Sequence, residues 1–128
     1  MRHLLSIDIS MSFRRGNSVE QLLGRSPADP GCIRHVELRP CNEEIEVWVH
    51  DVEDIGSEAC LDLYDFPALE PDGPDGPAAV FQAPQAAIEY AAAFLAANAA
   101  RWVNQGVAQS EYLDYIRAGR PSSWPGAA

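Results

Sequence analysis

The chain reads as an α+β protein: an antiparallel sheet of about four strands packed on one face by C-terminal helices. Three observations predict this. Between Ile33 and Phe66, apolar and polar residues alternate in short runs separated by turn residues, the period of half-buried strands. From Pro84 onward, apolar residues recur every three or four positions, the spacing of a helix that buries one stripe. The three strand-like runs are consecutive, joined by short turns, and come before the C-terminal helical ones, which reads as an antiparallel meander followed by helices. At 128 residues the chain is near the common size of one domain. Residues 1–120 are expected to form that domain and 121–128 a tail.

Taken in order, His3 to Ser10 is expected to be a strand, because Leu5, Ile7 and Ile9 alternate with Ser6 and Asp8. A loop through Arg14, Arg15, Gly16 and Asn17 leads to a short helix, Ser18 to Leu23, capped by Ser18 and stopped by Gly24. Pro27, Pro30 and Gly31 mark a turn-rich connection. The second strand is Ile33 to Arg39, followed by a turn at Pro40, Cys41 and Asn42. The third, Glu44 to Val52, has the clearest alternation: Ile45, Val47 and Val49 one way, Glu46, Trp48 and His50 the other. The fourth is Glu58 to Phe66, with Ala59, Leu61 and Leu63 inward and Cys60, Asp62 and Tyr64 outward. Short turns between the three make them an antiparallel meander.

Pro67 to Pro77 is a loop, since its prolines and glycines oppose helix and ladder alike. A long helix is expected from Pro84, which suits a first helical position, to Asn104, with Ile88, Ala91, Ala92, Leu95, Ala99, Trp102 and Val103 as its stripe and Gly106 after its end. A second helix runs from Ser110 to Ala118, stopped by Gly119, with Leu113 and Ile116 inward beside Tyr112 or Tyr115. Trp124 could pin the tail.

Charge is the informative part of the composition. Between Cys41 and Asp75 stand twelve Asp or Glu residues and no Lys or Arg: Glu43, Glu44, Glu46, Asp51, Glu53, Asp54, Glu58, Asp62, Asp65, Glu70, Asp72 and Asp75. This window exceeds the whole formal net charge of −10. Such a field speeds encounter with basic surfaces and repels nucleic acid and anionic membranes, which are bound through Lys and Arg. The competing reading is a solubilising face. No apolar run is long enough for a transmembrane helix, and Asp8 interrupts any signal-peptide core near the N-terminus, so a cytoplasmic location is expected.

A search for chemistry leaves little. There is no glycine-rich phosphate loop, no GxSxG and no HExxH. Cys32, His35, Cys41, His50 and Cys60 lack the two tight ligand pairs of structural zinc, and the loop around Asp72 and Asp75 lacks the alternating oxygens and distal Glu of a calcium loop. No metal or cofactor is expected. Cys32 and Cys41 could pair across a hairpin, but an odd cysteine count argues against a disulfide framework. His50 and Asp51, adjacent on a strand, point to opposite faces and do not make an acid–base pair. Arg14 and Arg15 could meet an anion but are ordinary solvated loop residues. What remains is a surface. Glu46, Trp48, His50, Asp62 and Tyr64 should share one face, with Glu43 and Glu44 at its margin: aromatic anchors in an acidic surround. The competing expectation is that this face is covered as well, perhaps by the short N-terminal helix, with Trp48 in the core.

On these features, and on the segment VFQAPQAAIEYAAAFLA from Val80 to Ala96, the chain resembles small acidic bacterial immunity proteins of polymorphic or contact-dependent toxin systems. The resemblance implies a cytoplasmic protein that binds and neutralises a cognate, basic protein toxin, with no catalytic residues of its own. Two other readings stay open: a small enzyme or ligand-binding protein using a pocket between sheet and helices, and an adaptor or structural subunit.

Overall fold

The computed structural model describes residues 2–70 and 74–125. Asp72 of the acidic window and the end of the tail at 126–128 lie outside the described residues. The elements are α1 (Ser6–Arg14), β1 (Val19–Arg25), β2 (Cys32–Cys41), β3 (Glu44–Glu53), a 3-10 turn (Leu63–Asp65), β4 (Ala79–Phe81), α2 (Pro84–Phe94), β5 (Val103–Asn104) and α3 (Ala108–Arg117). The α+β class holds, with an antiparallel sheet of five strands in the order β4-β3-β2-β1-β5.

The centre of the sheet is the β2–β3 hairpin. Its turn is Asn42-Glu43, both at positive φ (52° and 66°), the left-handed pair that suits a two-residue hairpin because its twist matches the strands. The turn therefore begins one residue beyond Pro40 and Cys41, and it fixes the register from Cys41↔Glu44 to Cys32↔Glu53. Directly paired residues share a face, so two faces follow. One carries Val36, Leu38, Ile45 and Val47 and packs on Ile9 and Phe13 of α1, Ala87, Ile88 and Ala91 of α2, and Trp102. The other carries Ile33 and Val52 at one end, covered by Leu63, Phe66 and by Tyr112 and Tyr115 of α3. The rest of that second face is polar. Ile45, Val47, Trp48 and His50 thus lie as the alternation predicts. Cys32 and Cys41 sit at opposite ends of one strand and all three cysteines are free. A disulfide across a hairpin is therefore not formed.

Four expectations need correction. His3 to Ser10 is not a strand; the helix α1 begins at Ser6 and buries Ile9, Ser12 and Phe13, an i, i+3, i+4 set that outweighs the short alternation before it. Leu5 and Ile7 are exposed. Asp8 accepts from the Leu5 N–H (3.2 Å) and so closes the first turn.

Ser18 to Leu23 is not a helix. It is β1, buried on both sides, with Val19 in one cluster and Leu22 in the other. Its register slips between Leu22 and Gly24. Gly24, at φ +95°, is needed there because a Cβ would lie 2.7 Å from Trp124 Cβ. Trp124 packs edge-on to Tyr115 at 5.5 Å and so fastens the chain end as far as it is described.

Glu58 to Phe66 is not a strand. It is a loop with one Ser57↔Cys60 bridge and the 3-10 turn, anchored by buried Leu63 and Phe66 while Ala59 is exposed. The edge position beside β3 is filled instead by β4 and, further along, by Ala68.

The long helix stops at Phe94, ten residues early. Ala96 turns left-handed (φ 61°), and Asn98 is gripped by the Gln21 side chain of β1, which accepts from its N–H (2.8 Å) and donates to its carbonyl (2.9 Å). That bidentate pair offsets the cost of a left-handed alanine. Leu95 is only partly buried at the helix end, while Trp102 and Val103 enter the core from extended chain. The α3 helix starts two residues before Ser110 and buries Tyr112 and Tyr115 more deeply than Leu113 and Ile116.

Candidate partner-binding surface

The polar part of the second face is built from alternate residues of three strands and one loop. His35, Glu37 and Arg39 come from β2. Glu46, Trp48 and His50 come from β3, opposite Arg39, Glu37 and His35 respectively. Glu20 comes from β1, opposite Glu37. Tyr64 arrives from the 3-10 turn, where the Asp62 carboxylate accepts its N–H (3.1 Å). Asp62 and Tyr64 therefore reach this face by a loop laid across the sheet, not by the neighbouring strand the alternation predicts.

The rings form one continuous stack. His35 and His50 lie nearly parallel with centroids 4.7 Å apart. Tyr64 stands edge-on to both, at 5.0 Å and 5.4 Å. Trp48 continues the stack beyond His50 at 6.4 Å. The Arg39 guanidinium lies 4.3 Å above the Trp48 ring, within the range of cation–π attraction, and the indole N–H donates to Glu46 (3.1 Å). His50 is half-buried beside Trp48 and Tyr64 and more enclosed than a solvated residue. Glu43 and Glu44, at and beside the hairpin turn, are exposed.

Glu37 is the hub of the network. Its buried carboxylate accepts two bonds from Arg39 (2.8 and 3.0 Å) and one from the Ser18 hydroxyl (2.8 Å), and contacts His50 Nε2 at 3.4 Å. Burial alone would raise its pKa. The bonds from His50, Arg39 and Ser18 outweigh that and hold the group at about 2, against an ordinary 4.5. A depressed carboxylate contributes stability that is fully present above pH 4.5 and is lost as pH falls toward 2. Urea midpoints should therefore drop more steeply across this window in the native chain than in Glu37→Gln. Parallel curves would mean that the network adds nothing to the fold.

Glu20 accepts from the Tyr64 hydroxyl (2.8 Å), from the Gly106 N–H (2.6 Å) and, at 3.4 Å, from the Ala108 N–H at the start of α3. Glu20, Asp62 and Tyr64 also line a cavity of about 230 Å³ with Gln105, Gly106 and Gln109. Asp51 turns to the opposite face, paired in two bonds with Arg34 (2.8 and 2.9 Å), so it does not meet His50, as strand geometry requires. Arg14 and Arg15 are exposed. Among the described residues, no group of three His, Cys, Asp or Glu side chains is placed to hold a metal ion.

Of the acidic window, Asp51, Asp54 and Glu58 are ion-paired to Arg34, Arg120 and Arg117. Glu43, Glu44, Glu46, Glu53, Asp62, Asp65, Glu70 and Asp75 have no ion pair among the described residues. Six arginines, Arg2, Arg34, Arg39, Arg101, Arg117 and Arg120, are engaged in internal pairs. Beside the aromatic stack, Glu46 and Asp62 are therefore carboxylates without an ion pair, while Arg39 over Trp48 is neutralised by Glu37.

The structure brings Glu46, Trp48, His50, Asp62 and Tyr64 to one face, with Glu43 and Glu44 at its edge. Sequence reasoning missed Ser18, Glu20, His35, Glu37 and Arg39. A signal for three of them was present: a two-residue turn at Asn42-Glu43 pairs residues whose numbers sum to 85, which sets His35, Glu37 and Arg39 against His50, Trp48 and Glu46. Comparison with protein-family models, curated proteins and solved structures returned no match.

Proposed function

We propose that this chain is a cytoplasmic binding protein of the immunity type, which captures a basic protein toxin domain on the open part of the polar face. The observation that carries this reading is the placement of Trp48 and half-exposed Tyr64 on one face among carboxylates that have no internal ion pair. Aromatic anchors beside unpaired carboxylates, with Arg39 already bound to Glu37 and laid over Trp48, suit an interface that steers a basic partner and then desolvates against it. Glu43, Glu44, Glu46 and Asp62 steer; Trp48 and Tyr64 anchor; His50 holds Trp48 in its stack. The reading needs no cofactor and excludes nucleic acid and membrane as partners on electrostatic grounds.

The test is kinetic. The partner to test is a toxin domain encoded beside this gene, purified in inactive form; the lack of any such neighbour would itself count against the reading. Charge reversal of Glu46 and Asp62 to Lys should slow association severalfold and flatten its salt dependence. Trp48→Ala should act on dissociation and cost ~2 kcal/mol or more. Both variants must keep the native circular dichroism spectrum. Unchanged rates in folded variants would move the interface elsewhere, and failure of the chain to protect cells from that toxin would end the immunity reading. A turnover abolished by His50→Ala would favour an enzyme instead.

A further inference from the structure

His35 is 0 % exposed, and neither ring nitrogen has a hydrogen-bond partner among the described residues. A buried polar group left in this state costs free energy and calls for an explanation. It lies in the central strand, under two rings. His50 of β3 covers one side in a parallel stack, and Tyr64 closes the top edge-on. Tyr64 is 49 % exposed, and its side-chain hydrogen bond is the one to Glu20. Its ring borders the cavity lined by Gln105, Gly106 and Gln109, so there is free volume beside it. Leu63 and Phe66, on either side in sequence, are buried and keep the backbone in place while the side chain turns.

We propose that Tyr64 is an acid-released lid: it closes over His35 only while that imidazole is neutral, and swings off to let water reach the ring when the imidazole takes a proton.

The charges around His35 set the direction. β2 contributes Glu37, with Arg39 bound to it. β3 contributes His50 on the same face and Asp51 on the other, and β1 contributes Glu20 through the Tyr64 hydroxyl. Burial is the largest influence and, with His50, holds His35 down to about 3, against the pull of Glu37 and Asp51, which favour the proton. Hydration in the open state returns the ring toward its ordinary 6.5. The closed-to-open ratio is thus unaffected above pH 6.5 and falls about tenfold per pH unit below it, levelling off near pH 3. Glu37 stays charged through this window, being held at about 2.

The experiment is a titration of the full chain from pH 7.5 to 5.0, above its isoelectric point of about 4.5, followed by NMR of ring-labelled tyrosine and histidine. A roughly 30-fold change in the lid ratio is expected at pH 5.0. The Tyr64 ring signals should leave their ring-current-shifted positions while the amide spectrum stays native. In His35→Phe, which cannot titrate, they should not move. In Tyr64→Ala, with no lid to close, His35 should titrate at a higher pH than in the native chain, toward its ordinary 6.5. Tyr64 signals that stay fixed in the native chain, that move equally in His35→Phe, or a His35 that resists protonation above pH 5 in Tyr64→Ala would each overturn the proposal. None of these readouts involves a partner, so the lid and the binding surface can fail separately.

Discussion

Trp102→Ala should destabilise the protein by about 3–5 kcal/mol, a large share of the total stability of a domain this size. Trp102 is completely buried, in the cluster formed by Ile9 and Phe13 of α1, Val19 of β1 and Ala91 of α2. Its carbonyl accepts the Leu4 N–H at 2.8 Å, so the same residue fastens the chain ahead of α1 to the chain ahead of β5. Truncation would leave a cavity walled by rigid elements on several sides, which limits relaxation. Trp102→Phe should cost distinctly less. The indole N–H has no partner among the described residues, and its removal relieves an unsatisfied buried donor, offsetting part of the lost volume. Urea unfolding followed by far-ultraviolet circular dichroism, with an unchanged m-value, is the measurement. A loss below 1 kcal/mol for the alanine variant would remove Trp102 from the core, and equal losses for the two variants would show that a phenyl ring does not refill the site.

That core is where the reading from sequence and the folded chain part company. Glu44–Glu53 and its partner strand were legible because each carries a long alternation, with Ile45, Val47 and Val49 set opposite Pro40, Leu38 and Val36 on one side. Pro84 fixed the start of α2 for a local reason, the missing N–H. Leu5, Ile7 and Ile9 alternate over too few residues to exclude a helix, and Phe13, four residues beyond Ile9, is what decides it. Val19 to Arg25 is buried on both faces, so it shows no alternation at all. The end of α2 depends on Gln21, seventy-seven residues away from the Asn98 that it binds, and no local pattern in an alanine-rich stretch announces such a contact.

The surface was half legible for a related reason. The residues read off β3 needed only the period of one strand, and Glu46, Trp48 and His50 lie as that period places them. The network beneath them, from Ser18, Glu20, Glu37 and Arg39, depends on how strands are paired, which follows from turn geometry and not from composition. Tyr64 reached the predicted face by a different route. Leu63 and Phe66 anchor a loop, and their spacing of three, with Leu61 only half-buried, breaks the period of two on which a strand depends.

Gly56→Ala tests that loop directly and should be disproportionate to its size. A Cβ at this position would collide with Tyr112 Cε2 and would meet the Cys60 carbonyl oxygen and Phe66 Cζ, each at 2.7 Å. None of these can yield cheaply. Tyr112 is completely buried, and its hydroxyl is held between Asp54 (2.6 Å) and the Gly56 N–H itself (2.9 Å). Phe66 packs edge-to-face on Tyr112 at 5.7 Å, and the third obstacle is backbone. One added methyl must therefore displace either α3 or the loop, at an expected cost of about 3 kcal/mol, the upper end for overpacking. The loop is the weaker of the two, being irregular backbone with a single bridge. The displacement should therefore appear there first, as faster amide exchange at residues 57–66 and loss of the ring-current shifts that Tyr64 shares with His35 and His50. Gly76→Ala is the control: nothing lies within 4 Å of the added methyl, and the change should be neutral or stabilise by up to about 1 kcal/mol through the unfolded chain. If Gly56→Ala proves as mild as Gly76→Ala, the close seat of the loop on Tyr112 is wrong, and the position of Tyr64 over the histidines falls with it.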